Sequence, residues 1–112
     1  MRLNVSVLVV CAGVLAGCAS VEDVTSREPV FYGSTARTAA DYVQCVDSAW
    51  TGQGVVAKRQ PIHNGFELVV EGAAGVEAVL TVATWRGKTD ARFFTRIQRN
   101  STALSEAANL CL

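Results

Sequence analysis

Four cysteines, one histidine and an even balance of charge bound the chemistry open to this chain of 112 residues. The cysteines stand at positions 11, 18, 45 and 111, and the histidine at 63. A single histidine leaves no room for a multi-histidine metal site. His63 lies between Ile62 and Asn64, in a stretch with turn character and no cysteine nearby. As a catalytic base it would need a nucleophile and an orienting carboxylate in contact. Neither Gly-x-Ser-x-Gly nor His-Glu-x-x-His occurs, nor a phosphate-cradling glycine loop. A turn histidine without chemistry is expected, with no catalytic residue, no metal and no cofactor.

The charged residues divide more usefully. Glu67, Glu71 and Glu77 could line one sheet face, with Asp41 and Asp47 flanking a helix. Paired carboxylates can hydrolyse glycosides, yet a solvated strand face carries the same residues, so an enzyme is the least favoured reading. Arg92 and Arg96 share a strand face with Phe94, and Arg86, Lys88 and Arg99 lie close by in the chain. Cross-strand Glu–Arg pairing would account for such a face. The sharper reading makes Arg92, Phe94 and Arg96 a surface for an anionic partner, because an aromatic between arginines is a common interface anchor. Trp50 and Trp85 are expected at the edge of the core. Ten Lys and Arg against ten Asp and Glu argue against nucleic acid, which calls for a basic face.

The first eighteen residues form an export segment. Arg2 gives a short positive start, and no further charge occurs until Glu22. The apolar run is too short and too glycine-interrupted to cross ~30 Å of hydrocarbon comfortably, which is the pattern of a cleaved signal. Leu15-Ala16-Gly17-Cys18 resembles the lipobox of bacterial lipoproteins at all four positions. The resemblance implies cleavage before Cys18, a diacylglycerol thioether on its sulfur, and acylation (palmitate or similar) of the new amino group. Two or three acyl chains anchor stably where one does not, so the lipid bilayer becomes the first partner. Ala19 rather than Asp after the cysteine points, by family sorting habits, to the outer membrane. The domain then faces the periplasm, or the cell surface if the anchor is flipped outward.

Removing residues 1–17 takes only Arg2 from the charge count, leaving 95 residues with nine basic and ten acidic side chains, a net −1. Residues 18–33 read as the lipidated N-terminus and a tether, small, polar and acidic with Pro29. Val30, Phe31 and Tyr32 are the exception and could dock as a strand. Residues 34–112 form the domain. Ala36, Ala39, Tyr42, Val43, Val46 and Trp50 give a helical stripe, capped by Ser34 or Thr35 and ended near Gly52. Four strand-like runs follow: 55–60, 66–71 after an Asn64-Gly65 turn, 76–85, and 91–99. Leu104, Ala107, Ala108 and Cys111 make a closing helix, capped from Asn100-Ser101-Thr102. The expected fold is α+β in the order α-β-β-β-β-α, a four-stranded antiparallel sheet with both helices on one face and the other face wet.

With Cys11 lost and Cys18 lipidated, Cys45 and Cys111 remain. Both sit on helix stripes facing the same sheet, in an oxidising compartment, so a Cys45–Cys111 disulfide is expected. The resulting expectation is a lipid-anchored, non-catalytic accessory or binding module of the cell envelope. Its partner would be an envelope protein or an anionic envelope component. An inhibitor of a hydrolase such as lysozyme is the alternative, plugging a cleft with loop 60–65 or 72–75; a small enzyme ranks third.

Overall fold

The computed structural model describes residues 19–96 and 101–112. The lipobox, the signal and the end of the strand-like run at 97–99 therefore lie outside the described residues, as does Asn100. The chain folds as α1 (Val21–Thr25), β1 (Phe31–Thr35), α2 (Ala39–Gly52), β2 (Lys58–Ile62), β3 (Gly65–Gly72), β4 (Gly75–Trp85), β5 (Lys88–Thr95) and α3 (Ser101–Leu110). The strands make one sheet in the order β1-β5-β4-β3-β2, with every pair antiparallel. The fold is a small α+β unit, as expected.

Its detail differs by one strand and one helix. Phe31–Thr35 pairs with β5 instead of leading into the helix, so the sheet has five strands. Ser34 and Thr35 are consequently strand residues, and the N-cap of α2 is Thr38, whose hydroxyl accepts from the Asp41 N–H at 3.1 Å. A five-residue edge strand containing Gly33 has little propensity of its own; its pairing with residues about sixty positions away defines it. Likewise, the stretch expected as a tether holds α1. There Ser20 and Asp23 exchange side-chain-to-backbone bonds as a capping box.

The helices α2 and α3 cover one sheet face, the core face. Tyr42, Val43, Val46, Trp50, Leu104 and Ala108 meet Leu68, Leu80, Val82 and Phe93 there. Trp50 and Phe93 are fully buried with ring centroids 5.5 Å apart. The two largest core rings also bond helix to helix. The Tyr42 hydroxyl donates to the Ala108 carbonyl at 2.6 Å, and the Trp50 indole N–H to the Leu104 carbonyl at 3.2 Å. Cys45 and Cys111 form the expected disulfide, with Cα atoms 5.9 Å apart, tying the middle of α2 to the chain end.

Opposite lies the outer face, which is not wet throughout. α1 packs on β4 and β5 there, and Val24, fully buried, meets Val69, Val76, Val79 and Phe94. Val76 and Val79 are three apart and would face opposite sides of a regular strand. A bulge resolves this: Val70 opposes Ala78 while Glu71 opposes Val76, leaving Glu77 as the extra residue.

Candidate functional site

Antiparallel pairing lines up the outer face in rows. Gln60, Glu67, Thr81, Arg92 and Tyr32 form one row across all five strands. Gly65, Ala83, Asp90 and Ser34 form the next, and Trp85 with Lys88 closes the sheet beyond it. α1 covers the other end, so these rows are the part of the face left open. Within them Gln60 donates to Glu67 at 2.9 Å, and the Ser34 hydroxyl donates to Asp90 at 2.7 Å. Those two carboxylates are therefore held by neutral neighbours. Arg92, two residues from Asp90 on β5, stacks its guanidinium on the Tyr32 ring, 5.1 Å from the centroid. Such an exposed cation–π contact is worth about 0.5–1 kcal/mol and leaves the N–H donors facing water.

The β4–β5 hairpin extends this strip. Trp85-Arg86-Gly87-Lys88 turns on two residues with positive φ, Arg86 at 51° and Gly87 at 79°, as a type I′ turn requires. Trp85 is 66% exposed, and Arg86 lies 5.5 Å over its ring. The expectation that Trp85 borders the core is thus corrected. Alternation along β4 puts it on the outer face, past the last row that any helix covers. Tyr32 is 50% exposed. Two exposed rings and three cations, Arg86, Lys88 and Arg92, consequently share one end of the outer face.

The three residues singled out by sequence part company. Arg92 is exposed within the strip just described. Phe94 is on the same face, as alternation demands, but is buried beneath α1 with Val24 and Val79; it anchors the fold instead of a partner. Arg96 is half-buried at the opposite end of β5. Its backbone N–H donates to the Glu77 carbonyl at 2.7 Å and its Nε to the Val76 carbonyl at 3.1 Å, clamping the bulge. Among the described residues, cross-strand Glu–Arg pairing does not account for Arg92 or Arg96, because Arg92 stacks and Arg96 bonds backbone.

His63 is exposed in the two-residue turn between β2 and β3. Among the described residues, no three His, Cys, Asp or Glu side chains gather as a metal would need. A shallow groove of about 470 Å³ runs between α2 and α3 over the disulfide, lined by Ala49, Gln53, Ala103, Glu106 and Leu110. The turn between β3 and β4 is two residues long, and Ala19 bonds to it. Among the described residues no helix is long and apolar enough to cross a membrane.

No known family, curated protein or solved structure matches the chain. Its function must therefore be argued from its own surface. Tyr32 and Trp85 complete a strip of which the sequence pointed to Arg92, with Arg86 and Lys88 near it in the chain. The missed signal was the hairpin Trp85-Arg86-Gly87-Lys88, an aromatic flanked by cations at a tight turn.

Proposed function

We propose that this chain is a lipid-anchored, non-catalytic binding module of the bacterial envelope. Cys18 carries the lipid at the outer membrane, and the folded domain stands in the periplasm. The observation that carries the binding role is the strip of Tyr32, Arg92, Trp85, Arg86 and Lys88. Tryptophan, tyrosine and arginine are the residues most enriched at the energetic centres of interfaces. Here they are exposed on rigid strands and a tight hairpin, so little ordering cost opposes binding. The cations select an acidic protein surface as partner, and the two rings supply the apolar contact area. The lipobox resemblance supports the anchor and the compartment.

A photoreactive side chain placed at position 85, with the protein in its native envelope, tests this. It should yield a discrete cross-linked product that disappears when Arg92→Ala is added. The same probe at Val56, also well exposed, should yield none. Equal products from both positions, or a position-85 product indifferent to Arg92→Ala, would refute the strip.

A further inference from the structure

We infer that the lipidated protein docks end-on against its bilayer through the turn between β3 and β4, so that the Trp85 end points away into the aqueous compartment. This rests on the proposed acylation of Cys18 and adds the orientation and the partner's location. Cys18 precedes Ala19 by a single peptide bond. Ala19 is not part of a slack linker. Its N–H donates to the Ala74 carbonyl at 3.3 Å, and its carbonyl accepts from Val76 N–H at 3.0 Å, a parallel bridge to Gly75. Ser20 then caps α1, and Val24 is buried on the outer face. A free linker of about fifteen residues would wander roughly 20 Å; this chain is seated on the fold one residue after its anchor.

Gly75 makes the seat possible. Its φ is +104°, and a Cβ there would stand 2.5 Å from the Ala19 carbonyl oxygen and 2.8 Å from its nitrogen. The turn itself, Gly72-Ala73-Ala74-Gly75, bears no charge and no bulk. Nearby side chains are mostly acidic: Glu22 and Asp23 in the first turn of α1, Glu71 exposed, and Glu77 folded over Gly72. Docking is therefore held by the covalent lipid and the short leash, not by attraction to headgroups, and it should be looser on anionic than on neutral vesicles.

β4 then fixes the opposite end. It runs eleven residues from Gly75 to Trp85, and at about 3.3 Å per step that separates the ends by roughly 33 Å. Arg92 pairs with Thr81, roughly 20 Å along β4 from Gly75, and Arg86 and Lys88 stand at the far end, so headgroup phosphates of the anchoring bilayer are out of reach of all three. The anionic partner of the strip is thus an acidic protein of the aqueous space, not the lipid surface.

The full lipidated chain, reconstituted in vesicles whose lipids bear headgroup nitroxides, tests the orientation by tryptophan quenching. Wild type reports from Trp85, and Ala73→Trp combined with Trp85→Phe reports from the turn; buried Trp50 is common to both. Quenching should be several-fold stronger for the turn reporter on neutral lipid, with a smaller margin on anionic lipid. Inserting about twelve Gly and Ser residues after Cys18, an average reach of roughly 19 Å, should clearly shrink the difference. Equal quenching without the insert, or stronger quenching of Trp85, overturns the docking; so does a difference that the insert leaves undiminished. Intact mass of the same preparation separates the two claims. Cys18 without lipid overturns the anchoring and the docking with it, whereas lipidated Cys18 with equal quenching overturns the orientation alone.

Discussion

Tyr42 shows how a single side chain joins two helices at a cost visible in pH. Its ring is fully buried, its hydroxyl donates to Ala108, and burial pushes its pKa well above the ordinary phenol value near 10. The folded state thus keeps a proton that the unfolded chain releases. Stability from this group is present below pH 10 and declines as pH rises beyond it, by about 1.4 kcal/mol per unit. Urea midpoints of wild type between pH 8 and 11 should show that decline, and Tyr42→Phe should be less sensitive. At pH 7 the same variant should lose about 1 kcal/mol, because the Ala108 carbonyl is left unpaired in the core. Gly75 makes a contrasting case. Gly75→Ala meets both a positive φ and the Ala19 backbone, so it should free the N-terminus. Faster amide exchange at residues 19–25, with that of the α2 amides unchanged, would show it; uniform exchange changes would contradict the seat.

Among the elements, the helices α2 and α3 and the strands β3 and β4 were legible because each carries its own period. Tyr42, Val43, Val46 and Trp50 repeat at helical spacing, and Phe66, Leu68 and Val70 alternate. The disulfide was legible too, from two cysteines on stripes facing one sheet. Its loop spans 66 residues, for which chain entropy gives about 4 kcal/mol. Reduction, or Cys45→Ala with Cys111→Ala, should lower the melting midpoint by well over 10 °C at the usual few degrees per kcal/mol for a domain this small. α1 was not legible as an element, and β1 only as the triplet Val30-Phe31-Tyr32 that could dock as a strand, because neither has length enough for a period. α1 is fixed by a capping box and two valines, and β1 by pairing with β5. Phe94 was misplaced for the same reason: alternation names the outer face correctly but cannot say that α1 lies over it. The expected effect of Val24→Ala is a loss of about 2 kcal/mol, with exposed Phe94 and Val79 raising the binding of an apolar dye.

At the scale of the whole molecule, exposed charge leans acidic at one end and basic at the other, which a near-neutral total conceals. Glu22, Asp23, Glu71 and Glu77 gather around the seat of Ala19 with Arg96 bonded beside it, while Arg86, Lys88 and Arg92 occupy the Trp85 end next to Asp90 and Glu67, whose carboxylates accept from neutral donors. Two consequences follow from one arrangement. On the proposed lipidation of Cys18, the acidic end offers anionic headgroups no attraction, and the acyl chains are the hold on the bilayer. The cationic end would steer the proposed acidic partner from a tight hairpin and a stacked arginine whose positions are set before binding. Steering by exposed charges is screened within about 8 Å at physiological salt. Association with a polyglutamate probe should therefore slow steeply between low and physiological ionic strength. Arg86→Gln with Lys88→Gln should flatten that dependence without moving the melting midpoint, since both side chains are exposed and Gly87, which the turn geometry needs, is retained. Trp85→Ala should act differently, speeding dissociation and leaving the salt slope in place, because it removes apolar contact and no charge. If both variants changed the same rate constant, the division of labour between rings and cations on this surface would be wrong.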